Sequence, residues 1–129
     1  MRNLISFGIG ALLLSTTAAQ AAPRVHPEQQ LARILQGRVA GEPVNCVNLQ
    51  NIRSTQIIDR TAIIYDAGST IYVNRPQGAE SLDYWDTLVT RLHSSRLCSI
   101  DVVQLYESSS RTWTGSVFLG DFVPYKRVR

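Results

Sequence analysis

Few side chains in this sequence can do covalent chemistry, and the cysteines and histidines come first. The chain has two cysteines, Cys46 and Cys98, and two histidines, His26 and His93. No C-x-x-C motif is present and the histidines are far apart, so the spacing argues against a metal site. His93 lies five residues before Cys98, and a catalytic thiolate needs a nearby base. A reactive thiol paired with His93 is therefore one alternative for these residues.

A Ser/His/Asp set can be written from the polar segment around His93, with Ser94 or Ser95 as nucleophile and Asp101 as acid. The serines are adjacent to the histidine and no G-x-S-x-G motif is present. A catalytic triad is a spatial arrangement that adjacency in sequence does not produce. We predict no hydrolytic triad here.

Asp83 and Asp86 are a pair of carboxylates whose spacing would place both on one face of a helix. Such a pair is usually part of a solvated face, and a glycosidase pair needs a cleft that a small domain rarely builds. The glycines are isolated, so no phosphate-binding loop is predicted. These patterns predict no catalytic residue and no cofactor.

The N-terminal 21 residues predict a signal peptide that is removed on export. Arg2 supplies a positive charge, residues 4–14 are apolar, and Ala19-Gln20-Ala21 fits an A-x-A cleavage site. As a helix the apolar segment would extend only ~16 Å, against a ~30 Å hydrocarbon core. Cleavage after Ala21 leaves residues 22–129 as one small periplasmic or secreted domain, without a membrane span.

An even number of cysteines in an exported chain favours a disulfide. We therefore predict a Cys46–Cys98 bond. Free or reactive thiols and a metal site are the alternatives.

The composition indicates a folded domain and argues against a nucleic-acid partner. Apolar residues make up 44% of the chain, and the net charge is +3, falling to +2 without Arg2. This charge is too small to steer binding to nucleic acid. The one basic cluster, formed by Lys126, Arg127 and Arg129, is expected to be a solvated end. The expected partner is an unknown protein or envelope component.

Residues 27–36 are predicted to form a short amphipathic helix, with Pro27 at its first position and Gly37 as its stop. Strands are expected over 44–49, 52–58, 62–65, 70–73, 97–106 and 112–119, and 122–125 is expected to pack back on the body. The clearest pattern is the hairpin around 66–69, where Gly68 can take a positive φ. Trp113, Val117 and Leu119 share one parity, which predicts one common face.

The segment 81–92 has two interpretations. Its apolar residues fall at helical spacing, and Ser81 can serve as an N-cap, so we favour a helix. The alternative is an irregular loop that leads to a strand at 87–91.

Four segments, 46–49, 57–65, 70–74 and 97–101, together resemble a family of small exported bacterial proteins classed only as a domain of unknown function. The similar pattern is an early cysteine, an aspartate before a short apolar strand and a late cysteine. The resemblance covers roughly 46–105 and implies a small exported domain with two cysteines. It implies no activity, so no catalytic residue is carried over.

These observations predict an α+β fold: a small, mostly antiparallel β-sheet of about five or six strands with a short N-terminal helix. The alternative is a small open β-barrel or sandwich. The predicted function is non-catalytic binding of a partner or ligand through the sheet or through residues 74–92. In that segment Tyr84 and Trp85 are either exposed anchors or buried core. The alternative function is a small exported enzyme that uses a thiol or His93.

Overall fold

The computed structural model describes residues 8, 10–15 and 25–128. Within these residues one α-helix, α1 at Pro27–Ile34, precedes ten β-strands. The strands are β1 Arg38–Ala40, β2 Cys46–Asn48, β3 Ser54–Ile58, β4 Ala62–Asp66, β5 Thr70–Asn74, β6 Asp86–Thr90, β7 Arg96–Cys98, β8 Val102–Glu107, β9 Trp113–Phe118 and β10 Phe122–Arg127. Two short 3-10 turns lie at Leu49–Asn51 and Ala79–Ser81.

The strands form three antiparallel sheets. The largest has the order β1-β10-β5-β4-β3, a second pairs β2 with β7, and the third has the order β6-β8-β9. The predicted class, an α+β domain with antiparallel sheet and an N-terminal helix, is confirmed. The predicted number of strands is too low, and the described strands do not close into a barrel.

Strand β4 is buried on both faces, which sets the layers of the molecule. One face of the large sheet packs on α1, and the other packs on the two smaller sheets. The α1 side contains Leu31, Ile58, Ala62, Ile64, Ile71 and Val73. The opposite side contains Val47, Ile57, Ile63, Tyr65, Leu82, Leu97, Val103, Leu105, Val117, Leu119 and Phe122. The uninterrupted apolar run in β4 follows from this burial on two sides.

The helix and the β4–β5 hairpin match their sequence patterns. Gly37 follows the helix with a φ of 78°, and Gly68 in the hairpin turn has a φ of 86°. The Asp66 carboxylate accepts a 2.7 Å hydrogen bond from the Gly68 N–H. The backbone is left-handed at both positions, which favours glycine there.

The favoured helix over 81–92 is wrong, and the alternative of a loop followed by a strand is correct. The 3-10 turn at Ala79–Ser81 is followed by a loop, and β6 pairs with β8. The Asp83 side chain accepts the Trp85 N–H at 2.9 Å, a local bond that competes with helix formation. Pairing with a distant strand then overrides the helical spacing.

Strands β8 and β9 contain a β-bulge that the sequence pattern does not reveal. Leu105 pairs with Gly115 and Tyr106 with Trp113, so Thr114 is an extra residue. The extra residue reverses the alternation of side chains. Trp113 is therefore 57% exposed while Val117 is fully buried, and the predicted shared face is wrong.

The predicted strand at 97–106 is two strands separated by a turn. Strand β7 ends at Cys98, whose N–H donates to the Asp101 carboxylate at 2.7 Å. The carbonyl of Cys98 in turn accepts the Asp101 N–H at 2.9 Å. This local turn directs β8 into a different sheet from β7.

Residues 122–125, expected only to pack back on the body, belong to β10, which lies between β1 and β5. Pro124 obscures this strand in the sequence, because proline cannot donate to a ladder. The Pro124 carbonyl accepts the Gly41 N–H at 2.7 Å, so its backbone faces Gly41, just beyond the end of β1. The proline therefore removes only a bond at the end of that ladder. Lys126 and Arg127 are exposed as expected, but they belong to this strand.

Asn74 links the end of β5 to the turn between β9 and β10. Its side chain is fully buried. Nδ2 donates to the Gly120 carbonyl at 2.7 Å, and Oδ1 accepts the Gly120 N–H at 2.9 Å. One amide thus satisfies both backbone groups of Gly120.

We expect Asn74→Ala to lower the free energy of unfolding by about 2–3 kcal/mol, because it leaves two backbone groups without partners. Urea titration followed by circular dichroism measures the loss. Asn48→Ala, which removes only an exposed cap on the Gln50 N–H, should cost about 1 kcal/mol or less. Equal losses for the two variants would contradict this role of Asn74.

The ion pair between Glu28 and Arg75 joins α1 to the segment after β5, with a 2.8 Å N–O distance. The hydrogen bond from Arg75 holds the pKa of Glu28 below its ordinary value. Stability from a lowered carboxylate pKa is present above the unfolded-state pKa and is lost as pH falls through the folded-state pKa.

Glu28→Gln should therefore lower the free energy of unfolding by under about 1 kcal/mol at neutral pH, because both side chains are about half exposed to solvent. The difference from wild type should shrink below the ordinary glutamate pKa and vanish once Glu28 is protonated. Urea titrations at neutral and acidic pH measure it. A difference that grows on acidification would contradict the sign.

Most of the predicted signal peptide, including its cleavage site, lies outside the described residues. No helix in the described part of the chain is long and apolar enough to cross a bilayer.

Candidate functional site

The predicted disulfide is present between Cys46 in β2 and Cys98 in β7, which lie directly opposite each other. The Ser99 N–H donates to the Asn45 carbonyl at 2.7 Å, so the cysteines occupy the next position, where the ladder has no hydrogen bond. Opposed Cα atoms approach most closely at such positions, and these are 4.0 Å apart. Both cysteine sulfurs of the chain are therefore in one bond.

The residues of the possible triad serve local turns. The Asp101 carboxylate accepts the Cys98 N–H, and Ser94 Oγ accepts the Arg96 N–H at 3.2 Å. His93 is exposed, and among the described residues no side-chain hydrogen bond joins it to Ser94 or Asp101. No group of three metal-ligating side chains is found within the described residues.

Replacing both Cys46 and Cys98 with alanine is expected to lower the free energy of unfolding by about 4 kcal/mol. The bond closes a loop of 52 residues, and constraining such a loop restricts the unfolded chain. Thermal and urea unfolding of the double variant and of wild type measure the difference. Wild type treated with reductant is the control, and an unfolding midpoint unaffected by either change would contradict the expectation.

Tyr84 and Trp85 are exposed and are not core residues. Their side chains are 47% and 74% exposed. The two rings meet edge to face with centroids 4.9 Å apart and planes at 88°. Edge-to-face contact is a favoured geometry for aromatic pairs, so each ring restricts the other.

The backbone that carries this aromatic pair is fixed on both sides. The N–H of Trp85 donates to Asp83, and its carbonyl accepts the Ser108 hydroxyl from the β8–β9 turn. The N–H of Tyr84 donates to the Asp59 carboxylate in the β3–β4 turn. The backbone that carries the exposed rings is therefore held by hydrogen bonds to neighbouring segments.

Two adjoining depressions meet at Trp85, and we call them together the Trp85 groove. Their volumes are about 570 Å³ and about 410 Å³. The first is lined by Ser81, Asp83, Trp85, Asp86, Glu107, Ser108, Ser109 and Thr114. The second is lined by Thr55, Gln56, Ile57, Tyr84, Trp85, Asp86, Thr87, Leu88 and Ser108.

The lining of the groove is acidic. It contains the carboxylates of Asp83, Asp86 and Glu107 and no basic side chain, although the chain as a whole is net positive. Hydrogen bonds from Ser109 and then Ser110 lower the pKa of Glu107, so this side chain keeps its charge to lower pH.

These carboxylates form no ion pair with a basic side chain of the described residues. Neutral donors bind all three, as with the Thr114 hydroxyl that donates to Asp86 at 2.9 Å. The ion pair between Glu28 and Arg75 lies elsewhere, and none was found at the groove among the described residues. An incoming cationic group would therefore meet uncompensated charge.

The sequence pattern predicts only part of this site. Asp83 and Asp86, considered as a pair on a helix face, do lie together, but in a loop and at the start of β6. The sequence Asp-Tyr-Trp-Asp already places the aromatic pair between two acids. Glu107, Ser108 and Thr114 come from a distant hairpin, and no local pattern connects them with Trp85.

Trp113 and Phe118 are also exposed, on the outer face of β9. The Trp113 indole N–H donates to Gln104 of the neighbouring strand β8 at 2.7 Å, which ties the ring to its own sheet. Trp113 lines none of the depressions described above, so it serves as a natural comparison for Trp85.

Comparison of the chain with models of protein families, with curated proteins and with solved structures finds no match.

Proposed function

We propose that this chain is a non-catalytic periplasmic or secreted envelope protein that acts by binding a partner or envelope component at the Trp85 groove. The observation that carries the proposal is Trp85, which is 74% exposed on a backbone held at both its N–H and its carbonyl. Tyr and Trp are enriched at binding interfaces, and here two such rings lie side by side at a depression.

The disulfide is consistent with an oxidising compartment outside the cytoplasm. That compartment supports the predicted export of residues 22–129 and the likeness to small exported proteins with two cysteines. Both remain proposals. The alternative, an enzyme that uses a thiol or His93, has less support. Both cysteine sulfurs are in the disulfide, and among the described residues His93 makes no side-chain hydrogen bond to Ser94 or Asp101.

Trp85→Ala is expected to weaken retention of the purified protein on isolated bacterial envelopes by about tenfold or more, since buried aromatic anchors dominate binding energies. Co-sedimentation at a series of envelope concentrations measures the retention. Trp113→Ala is the matched control, because it removes the other exposed tryptophan from a different surface. Its retention should equal that of wild type.

Circular dichroism of both variants must first show the wild-type fold. If folded Trp85→Ala protein is retained as well as wild type, or if Trp113→Ala alone reduces retention, the Trp85 groove is not the binding surface.

A further inference from the structure

The Trp85 groove is bounded by two sheet edges at which some outward-facing backbone groups have no partner among the described residues. Strand β3 ends the large sheet and β6 ends the small three-stranded sheet, and residues of both strands line the groove. The turn after β3 and the loop before β6 are tied together, since the Arg60 N–H donates to the Leu82 carbonyl at 3.0 Å. The end of β3 therefore lies close to the loop that leads into β6.

The hydrogen-bond alternation of β3 shows which of its backbone groups face the groove. In the β4–β5 hairpin the Ala67 N–H donates to the Thr70 carbonyl at 2.9 Å. Because hydrogen bonds alternate along an antiparallel strand, the backbone groups of Tyr65 and Ile63 bond to β5 and those of Ile64 bond to β3. With the register Gln56 to Ile64, the N–H and C=O groups of Thr55 and Ile57 point away from β4. No described backbone group pairs with them on that side.

Strand β6 presents the same arrangement. The Glu107 N–H donates to the Thr112 carbonyl at 2.9 Å in the β8–β9 turn, so Tyr106 bonds to its partner Thr87 in β6. The backbone groups of Leu88 then point away from β8. The groove is thus lined by open backbone donors and acceptors from two strands.

Two of the other sheet edges are partly covered or very short. Gln77 exchanges two hydrogen bonds with Phe118 of β9, at 2.9 and 3.0 Å. Strand β1 has only three residues and begins with Arg38. Neither β3 nor β6 contains Lys, Arg or Pro, the residues that usually block pairing at an edge.

We propose that the groove binds an extended, basic segment of a partner polypeptide, which adds as a strand to the open edge of β3. The open backbone groups of Thr55 and Ile57 supply pairing of the kind used in strand addition. The carboxylates of Asp83 and Asp86 complement Lys or Arg side chains, and the Trp85 ring covers the peptide and attracts its cations. This inference rests on the proposed binding function and names the class of partner.

The probe is a library of random dodecapeptides selected on the immobilised, oxidised protein, followed by synthetic copies of the selected peptides. Binding is measured by the fluorescence of Trp85 in a Trp113→Phe background. We expect Lys- or Arg-containing peptides in which N-methylation of every second amide abolishes binding and N-methylation of the intervening amides does not. That period of two is specific to pairing with one strand edge.

Two proline variants test the edge from the protein side. Thr55→Pro removes an N–H that faces the groove. Peptide binding should weaken by about tenfold, because one buried hydrogen bond to the peptide is lost. Ala40→Pro is the matched control, because Ala40 lies on the opposite edge of the same sheet with its N–H directed outward. It should bind as wild type does.

The outcomes separate this inference from the proposed function. Binding that depends on Trp85 but ignores both N-methylation and Thr55→Pro overturns strand addition and leaves the groove as the binding surface. The same holds if envelope retention depends on Trp85 and no peptide is selected. Dimerisation of the protein that Thr55→Pro abolishes would assign the edge to a second copy and would also overturn the inference.

Discussion

Burial of β4 on both faces is the constraint on which the rest of this structure depends. Ala62, Ile63, Ile64 and Tyr65 are all at most 3% exposed, so the sheet around them needs a layer on each side. A helix of eight residues covers one face. The remaining chain must cover the other, and it does so with two small sheets. Tyr65 and Phe122 meet edge to face at 5.5 Å inside that second layer.

The covering of one face by two small sheets produces the candidate site. Two separate sheets laid over one face leave free edges where they meet the large sheet, and β3 and β6 provide such edges at the same place. The tie between Arg60 and Leu82 holds the strand ends together, while Asp59, Asp83 and Ser108 fix the backbone of the aromatic pair above them. The disulfide joins β2 to β7 in the same covering layer, so the layer is anchored across 52 residues of chain.

The sequence allowed prediction of the elements that depend on neighbours along the chain. Pro27 and Gly37 mark the helix, and Gly68 marks the β4–β5 hairpin, because each acts through its own backbone. The disulfide was predictable from an even cysteine count together with an N-terminus that predicts export. Elements set by distant partners were not. Residues 86–90 have helical spacing but pair with β8. Pro124 argues against a strand in the sequence, yet it is tolerated in β10 because the N–H that it lacks would point beyond the end of β1.

The site was predictable only in its first half. Asp83, Tyr84, Trp85 and Asp86 stand together in the sequence, and their chemistry was visible there. Whether the rings were buried depended on the bond from Asp83 to the Trp85 N–H and on the approach of the β8–β9 turn, which no local pattern reports. The bulge at Thr114 is a further case, since one extra residue moved Trp113 from the expected inner face to the outer one.

Amide hydrogen exchange of the free, oxidised protein, resolved by residue, tests the central claim most directly. The claim is that β3 is an open edge beside a fixed aromatic anchor. The account predicts fast exchange at Thr55 and Ile57 and slow exchange at Gln56 and Ile58, whose N–H groups bond to β4. Equal protection along all four residues would mean that the edge is already paired in the free protein and would contradict the account.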